Sequence, residues 1–357
     1  MSRVRDFVRR NIIFVLFLVL LPAAFLIAVS VGSVQIALSD TLSILFGRLF
    51  GIAPDTSIPT AISVIIQKVR VPRVLLAGLV GAALAIAGAV TQGVFRNPLA
   101  EGSTLGISSG AALGAVLYIS TGITLPFFNE IGMALASIVF AFMSLLFILF
   151  ITYNIDRNLS VNTIILTGVV FSMFTGSIIS LVTSMSGDRL RQIVFWTLGS
   201  FSGKGFTEAL MLLPVLVIGF IVFMRYAREL DIFTFGEEQA GYIGINTKKV
   251  KLVVFITVAA LIGVSVAVSG FIAFVGLVIP HIVRKIVGQK YNRLLPGCVL
   301  AGAVFMMLTD LVGRVVISPS ELPIGVVTSF IGSLVFLWIF YTRANQRKRI
   351  KSGGMPQ

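Results

Sequence analysis

Residues 11–39 contain no Asp, Glu, Lys or Arg, and this run limits the fold more than any other feature of the chain. About 20 apolar residues of helix cross the hydrocarbon core of a bilayer. Residues 252–283 form a further charge-free run of 32 residues. Of the 357 residues, 57% are hydrophobic and only 12% are charged, against about 25% charged in soluble proteins. Mean hydropathy is +1.03. Such a chain cannot coat a water-facing surface. The 28 basic and 14 acidic residues give a net charge of +14, but apolar stretches separate the basic residues, whereas a nucleic-acid binder gathers them on one polar face. A cytosolic enzyme and a nucleic-acid module are therefore excluded. The chain reads as an all-α polytopic membrane protein.

Arg3, Arg5, Arg9 and Arg10 precede the first run in the manner of a signal peptide. The run is too long for a signal-peptide core, and no Ala-x-Ala pattern closes it, so it reads as the first membrane helix. A single Cys298 and a single His281 leave no intrachain disulfide and no His-rich metal cluster. No metal site is expected.

Unpaired backbone groups are costly in hydrocarbon, so charges and turn residues mark span ends. On that basis ten membrane helices are expected near 12–33, 74–93, 102–119, 130–152, 160–183, 207–226, 252–269, 271–287, 295–312 and 323–341. Residues 252–283 are long for one span and short for two. Ser269-Gly270 is the expected break, and Gly276 and Pro280 point to an irregular second half. Residues 190–203, around Trp196, read as a short helix at the outer surface. The domain plan is a tail at 1–11, a transmembrane domain at 12–341 containing a polar loop at 227–251, and a basic tail at 342–357.

Ten spans place both termini on one side. Eighteen of the 28 basic residues fall in Arg3–Arg10, Arg225–Lys251, Arg284–Arg293 and Arg343–Lys351, all on that side, which the basic-loop rule makes cytoplasmic. Lys68, Arg70 and Arg73 stand out, because the same count puts them outside.

No His-Glu-x-x-His, Gly-x-Ser-x-Gly or Gly-x-x-x-x-Gly-Lys-Ser/Thr string occurs. Mid-span carboxylates, the mark of ion-coupled carriers, are missing too. Asp310 comes nearest, and Arg314 lies four residues on, within reach of a helical ion pair. A secondary transporter and a membrane-embedded enzyme are the alternative classes, and both lack their chemistry here. Gly78, Gly81 and Gly88, then Gly106, Gly110 and Gly114, recur at spacings that let membrane helices pack closely. In the 227–251 loop, Glu237, Glu238, Gln239, Ala240, Tyr242 and Ile243 between Gly236 and Gly244 read as a short surface helix bounded by glycines.

Several motifs occur in order over residues 68–335. They are Arg70-x-Pro72-Arg73; Gln92-x-x-x-Arg96-Asn97-Pro98-Leu99-Ala100 with Gly106 and Gly110 beyond; Gly236-Glu-x-x-Ala240-x-x-x-Gly244; Gly270-x-Ile272-x-Phe274-x-Gly276 through Pro280-His281-x-x-Arg284; Asp310-x-x-x-Arg314; and Glu321-x-Pro323-x-Gly325. Together they resemble the permeases of bacterial ATP-binding cassette importers for iron-siderophores, haem and vitamin B12, the FecCD-like type II importers. Two places depart from the family pattern: Glu101 is followed by Gly102 rather than Pro, and the last span has Gly332-Ser-Leu-Val-Phe336 without the usual Pro.

The resemblance implies a vitamin B12 permease-like fold in the bacterial cytoplasmic membrane and a chain that is itself no enzyme and binds no cofactor. It implies two ATPase subunits that use ATP and Mg, a second permease subunit, identical or related, and an extracytoplasmic binding protein. Arg70, Arg73 and Arg314 match the positions that receive acidic residues of the binding protein. Gly236, Glu237, Glu238, Ala240 and Gly244 match the helix that couples to the ATPase. Gln92, Arg96, Asn97, Pro98, Gly106, Gly110, Gly270, Gly276 and Pro280 match turns that shape the pathway.

Overall fold

The computed structural model describes residues 2–32, 34–51, 58–123 and 131–352, and all the regular structure in them is helical. In chain order the helices are α1 Ser2–Ser30, α2 Leu38–Phe50, α3 Thr60–Val94, α4 Ile107–Thr121, α5 Gly132–Ile155, α6 Val161–Met185 and α7 Leu190–Thr197. They continue as α8 Phe206–Arg225, α9 Ala227–Phe233, α10 Glu237–Tyr242, α11 Thr247–Ser269, α12 Val275–Val287, α13 Tyr291–Val315 and α14 Ile324–Ser352. Each expected span overlaps one of these helices. Six of them, α3, α5, α6, α8, α11 and α13, are long and apolar enough to cross a membrane, and α1, α2, α4 and α14 contain shorter apolar stretches.

The details differ from the sequence reading in instructive ways. The stretches 1–11 and 342–357, expected as tails, continue the helices beside them, α1 beginning at Ser2 and α14 running to Ser352; residues 1 and 353–357 lie outside the described residues. Helix α3 starts fourteen residues before the expected 74, because Lys68 and Arg70 sit within helix rather than before it. One widened turn, Ile65–Arg70, joins its two parts, with Val71 N–H donating to the Ile66 carbonyl five residues back. The expected 271–287 span is a helix of only 13 residues, about 20 Å at 1.5 Å per residue. It is therefore too short to cross alone. The break before it falls at Ser269-Gly270 as expected: α11 ends at Ser269, and Gly270 takes φ +73°. Helix α2, between the first two expected spans, was not foreseen.

Helix α3 is the axis of the molecule, with 89% of its most apolar window buried. Lipid tails are as apolar as leucine, so helices in a bilayer associate through close packing rather than through a hydrophobic drive. The glycines of α3 provide the contact points. A Cβ at Gly78 would meet Met307, at Gly81 the Gly302 carbonyl, at Gly88 the Gly276 backbone and at Gly93 the Tyr291 hydroxyl. One face of α3 thus lies against α13, and Gly88 meets the start of α12. The Gly81–Gly302 approach is reciprocal, because a Cβ at Gly302 would meet the Gly81 carbonyl. Gly110 and Gly114 make the equivalent approach of α4 to α5, against Ser144 and Phe140. Spacing read from the sequence thus becomes two tight crossings.

Overpacking such a contact costs about 1–3 kcal/mol. Gly302→Val should lower the melting temperature in mild detergent and reduce the folded yield, whereas Gly176→Ala on α6, where nothing lies within 4 Å of the added carbon, should match the parent in the same melting assay.

Candidate functional site

Two constellations of polar side chains form, one toward each end of the bundle. At the first, α3, α13 and the end of α1 meet. Arg73 donates to Asp310 from Nε at 3.1 Å and Nη2 at 2.9 Å, and to Glu321 from Nη1 at 2.9 Å. Arg314 Nε lies 3.0 Å from the other Asp310 oxygen, so the i, i+4 ion pair expected from sequence forms, with Asp310 2% exposed. Arg314 also donates to the Ala28 carbonyl at 2.8 Å and the Val31 carbonyl at 3.1 Å. Arg70 donates to the Val29 carbonyl at 2.9 Å, the Ser30 carbonyl at 2.6 Å and the Val34 carbonyl. A helix leaves its last carbonyls without partners and carries partial negative charge there. Two guanidinium groups from other helices supply both the missing donors and the opposite charge for the end of α1.

Arg70, Arg73 and Arg314 were expected to face a partner. The structure brings them together, as the motifs implied, but buries all three, at 6%, 8% and 4% exposure, and occupies them with groups of this chain. The motifs group the three but carry no information on which way each guanidinium turns. Lys68, the remaining cation of that cluster, stays exposed. Glu321, whose side chain is 32% exposed, covers Arg73 from outside.

Toward the other end, the turn after α3 is locked by local polar bonds. Asn97 Oδ1 accepts from Leu99 N–H at 2.9 Å, and Arg96 holds φ +49°. Such Asx geometry makes Asn97-Pro98 a fixed corner. Gln92 does more than turn the chain. Pro280, inside α12, has no N–H to give to the Gly276 carbonyl four residues back, and Gln92 Nε2 reaches across from α3 to supply that bond at 3.0 Å. Arg284 then donates to Gln92 Oε1 at 2.5 Å and to the Ala89 carbonyl at 2.9 Å. The Gln92, Gly276, Pro280 and Arg284 motifs, far apart in sequence, are one hydrogen-bonded joint between α3 and α12. Gly106, at φ +67°, turns the chain from a tight turn at Gly102–Leu105 into α4.

Beside this joint lies the glycine-bounded helix. Gly236 takes φ +133° and Gly244 φ +89°, and α10 lies between them. Ala240 is fully buried and Glu238 exposed, while Phe235, Tyr242 and Ile243 are 70%, 89% and 68% exposed. Arg96 Nη1 lies close to Gly236, and Asp231 Oδ1 of α9 accepts from Tyr291 N–H at the start of α13 at 2.8 Å. A cleft of about 470 Å³ opens here, lined by Gln92, Arg96, Thr234, Arg284 and Lys285 among others and by no carboxylate. Glu237 turns inward to Lys251, a residue that sequence reasoning counted only as loop charge.

Helix α6 is the least buried of the six long helices, at 17% of its window. Along its exposed side Ser177, Ser180 and Ser184 alternate with Met173, Leu181 and Met185. Each of the three hydroxyls donates to a carbonyl of its own helix, at Met173, Gly176 and Leu181 respectively.

The model of the FecCD transport family matches residues 18–342. The chain is 40% identical over 319 residues to an uncharacterised ABC transporter permease of Bacillus subtilis, covering 89% of this chain and 90% of that one. It is 37% identical over 332 residues to a hemin transport system permease of Yersinia pestis, covering 90% and 94%. With a vitamin B12 import system permease of Salmonella typhi it shares 34% identity over 315 residues, covering 87% and 94%. A solved inward-facing structure of a metal-chelate type ABC transporter superposes with a TM-score of 0.80 at 29% identity, covering 93% of this chain and 99% of that one.

The Arg73–Asp310–Arg314 cluster carries a clear stability prediction. Removing one partner of a buried ion pair leaves charge uncompensated, at a cost of about 3–5 kcal/mol. Asp310→Asn should therefore strip most of the folded protein from detergent extracts, while Glu321→Gln, with its partly exposed carboxylate, should cost about 1 kcal/mol or less; chemical unfolding of both variants measures the difference.

Proposed function

As a member of the FecCD transport family this chain is a membrane permease subunit of an ATP-binding cassette importer and not itself an enzyme, and we propose that its cargo is an iron(III)-siderophore, haem or cobalamin. The relatives named for hemin and vitamin B12 transport support that cargo class. In this reading an extracytoplasmic binding protein delivers the chelate, two ATPase subunits consume ATP and Mg, and a second permease completes the pathway. The chain lies in the cytoplasmic membrane with both termini inside. It crosses ten times: α1, α3, α5, α6, α8, α11, α13 and α14 each cross once, α4 crosses together with the Gly102–Leu105 turn that precedes it, and residues 271–287 cross as an extended segment followed by α12. The extended part at 270–274 is packed against the Gly199 and Gly325 backbones, as non-helical chain at membrane depth requires.

The observation that carries the reading is the end of the bundle around α10. A short helix held between two left-handed glycines, with Ala240 buried and Phe235, Tyr242 and Ile243 exposed together, is an apolar knob on a basic surface. It fits the ATPase coupling role of Gly236, Glu237, Glu238, Ala240 and Gly244. At the opposite end Arg70, Arg73 and Arg314 form the foundation of the binding-protein site. Lys68 is an exposed cation there, and Glu321 lies partly exposed over the buried Arg73. The weakly buried hydroxyl-bearing side of α6 suits the pathway wall facing the second permease.

Aromatic and apolar anchors dominate interface energies, at about 2 kcal/mol or more for a central one. The double variant Tyr242→Ser with Ile243→Ser should reduce co-purification of the cognate ATPase at least about tenfold with the permease still folded; undiminished co-purification would remove the knob from the interface. In proteoliposomes, chelate uptake should stop when ATP is withdrawn and persist when ion gradients are collapsed, the reverse of a secondary transporter.

A further inference from the structure

Lys251 sits in the first turn and a half of α11 and has no exposed side-chain surface. An ammonium group has three N–H donors, and all three are used. Nζ donates to the Asn158 carbonyl at 2.9 Å, to the Leu159 carbonyl at 2.7 Å and to Glu237 Oε1. Two of these acceptors belong to the turn between α5 and α6, and the third is the first residue of α10. We propose that Lys251 is a mechanical relay that passes displacement of α10 to the foot of α6. The proposal rests on the coupling role given to α10 above.

The turn is built to pass on a push rather than absorb it. Asp156 accepts from Asn158 N–H at 2.9 Å and from Ser160 N–H at 3.0 Å, and Ser160 opens α6. Hydrogen bonds from Ser160 and from the Asn158 amide, with a smaller contribution from the charge of Lys251, hold the Asp156 carboxyl below its usual range. Leu159 is kept at φ +52°, a region that a branched side chain seldom occupies. The titratable groups around Lys251 are thus Glu237 on α10 and Asp156 on the turn. Among the described residues α6 in turn packs mainly on α4, α5, α7 and the Gly102–Leu105 turn, where a Cβ at Gly168 would meet the Thr104 carbonyl. A push on its foot meets few opposing contacts.

The choice of lysine supports the same conclusion. A buried ion pair is often no more stabilising than well-packed apolar residues of similar volume. A leucine or methionine at 251 would fill the space, but it would leave the two turn carbonyls and the Glu237 carboxylate unconnected.

The test uses the whole transporter, permease with its ATPase, in lipid nanodiscs and proteoliposomes. Amide hydrogen exchange with and without ATP should show paired changes at 237–242 and 157–163 in the parent. In Lys251→Met the ATP response at 237–242 should remain while that at 157–163 vanishes, and chelate uptake per ATP hydrolysed should fall about tenfold, within the range of ordinary coupling energies. Lys251→Arg, which keeps the charge and donors, should restore most of the uptake. A purely structural lysine predicts instead that exchange rises in both segments regardless of ATP, and that result overturns the relay. So does parental uptake per ATP in Lys251→Met. Should that variant fail to accumulate, the parent alone decides: an ATP response at 237–242 with none at 157–163 refutes the relay and leaves the coupling role of α10 standing, whereas no response at either refutes both.

Discussion

The structure depends on how closely α3 approaches its neighbours. A bilayer offers no hydrophobic reward for bringing two apolar helices together, so cohesion has to come from dispersion contacts and interhelical hydrogen bonds, both of which fall off steeply with distance. Glycine at 78, 81, 88 and 93 brings the α3 backbone within reach of α13 and α12. That proximity is a precondition for the polar joints at either end: Arg73 can reach Asp310, and Gln92 the Gly276 carbonyl, only because the helices already touch. The periphery, α6 and α8 above all, is attached far more loosely.

The order of the long helices was legible because a charge in hydrocarbon is so costly that charged and turn residues interrupt the apolar runs between them. The break at Ser269-Gly270 was legible for a related reason: a left-handed corner in a buried segment calls for glycine. Side-chain direction was not. Arg70 and Arg73 lie one helical turn apart, and the family motifs group Arg314 with them, but a motif does not say whether a guanidinium caps the carbonyls of α1 or reaches outward. Lys251 was missed because a lysine at the foot of a span resembles an orienting charge, and only the fold shows that it is buried. Helix α12 was overestimated because apolar composition continues through Phe271–Phe274 although the helix does not.

The two ends also differ in kind. Where α1 ends, Arg73, Arg314, Asp310 and Glu321 are paired with one another, and Lys68 is what remains exposed of the unexpected cluster. Around α10 the cleft beside the Gln92 joint is lined by cationic and neutral groups without a carboxylate, next to an exposed apolar knob. At one end buried ion pairs and carbonyl bonds dominate, and at the other an exposed apolar helix stands beside a basic cleft.

Because Ser177, Ser180 and Ser184 give their protons to carbonyls of their own helix, that side of α6 exposes serine oxygen lone pairs among methionine, leucine and phenylalanine side chains. Such a surface is wet enough to slide along yet has few donors with which to grip. Were this side the pathway wall proposed above, it would discriminate poorly among bulky solutes and release them readily, and the choice of cargo would fall to the protein that delivers it.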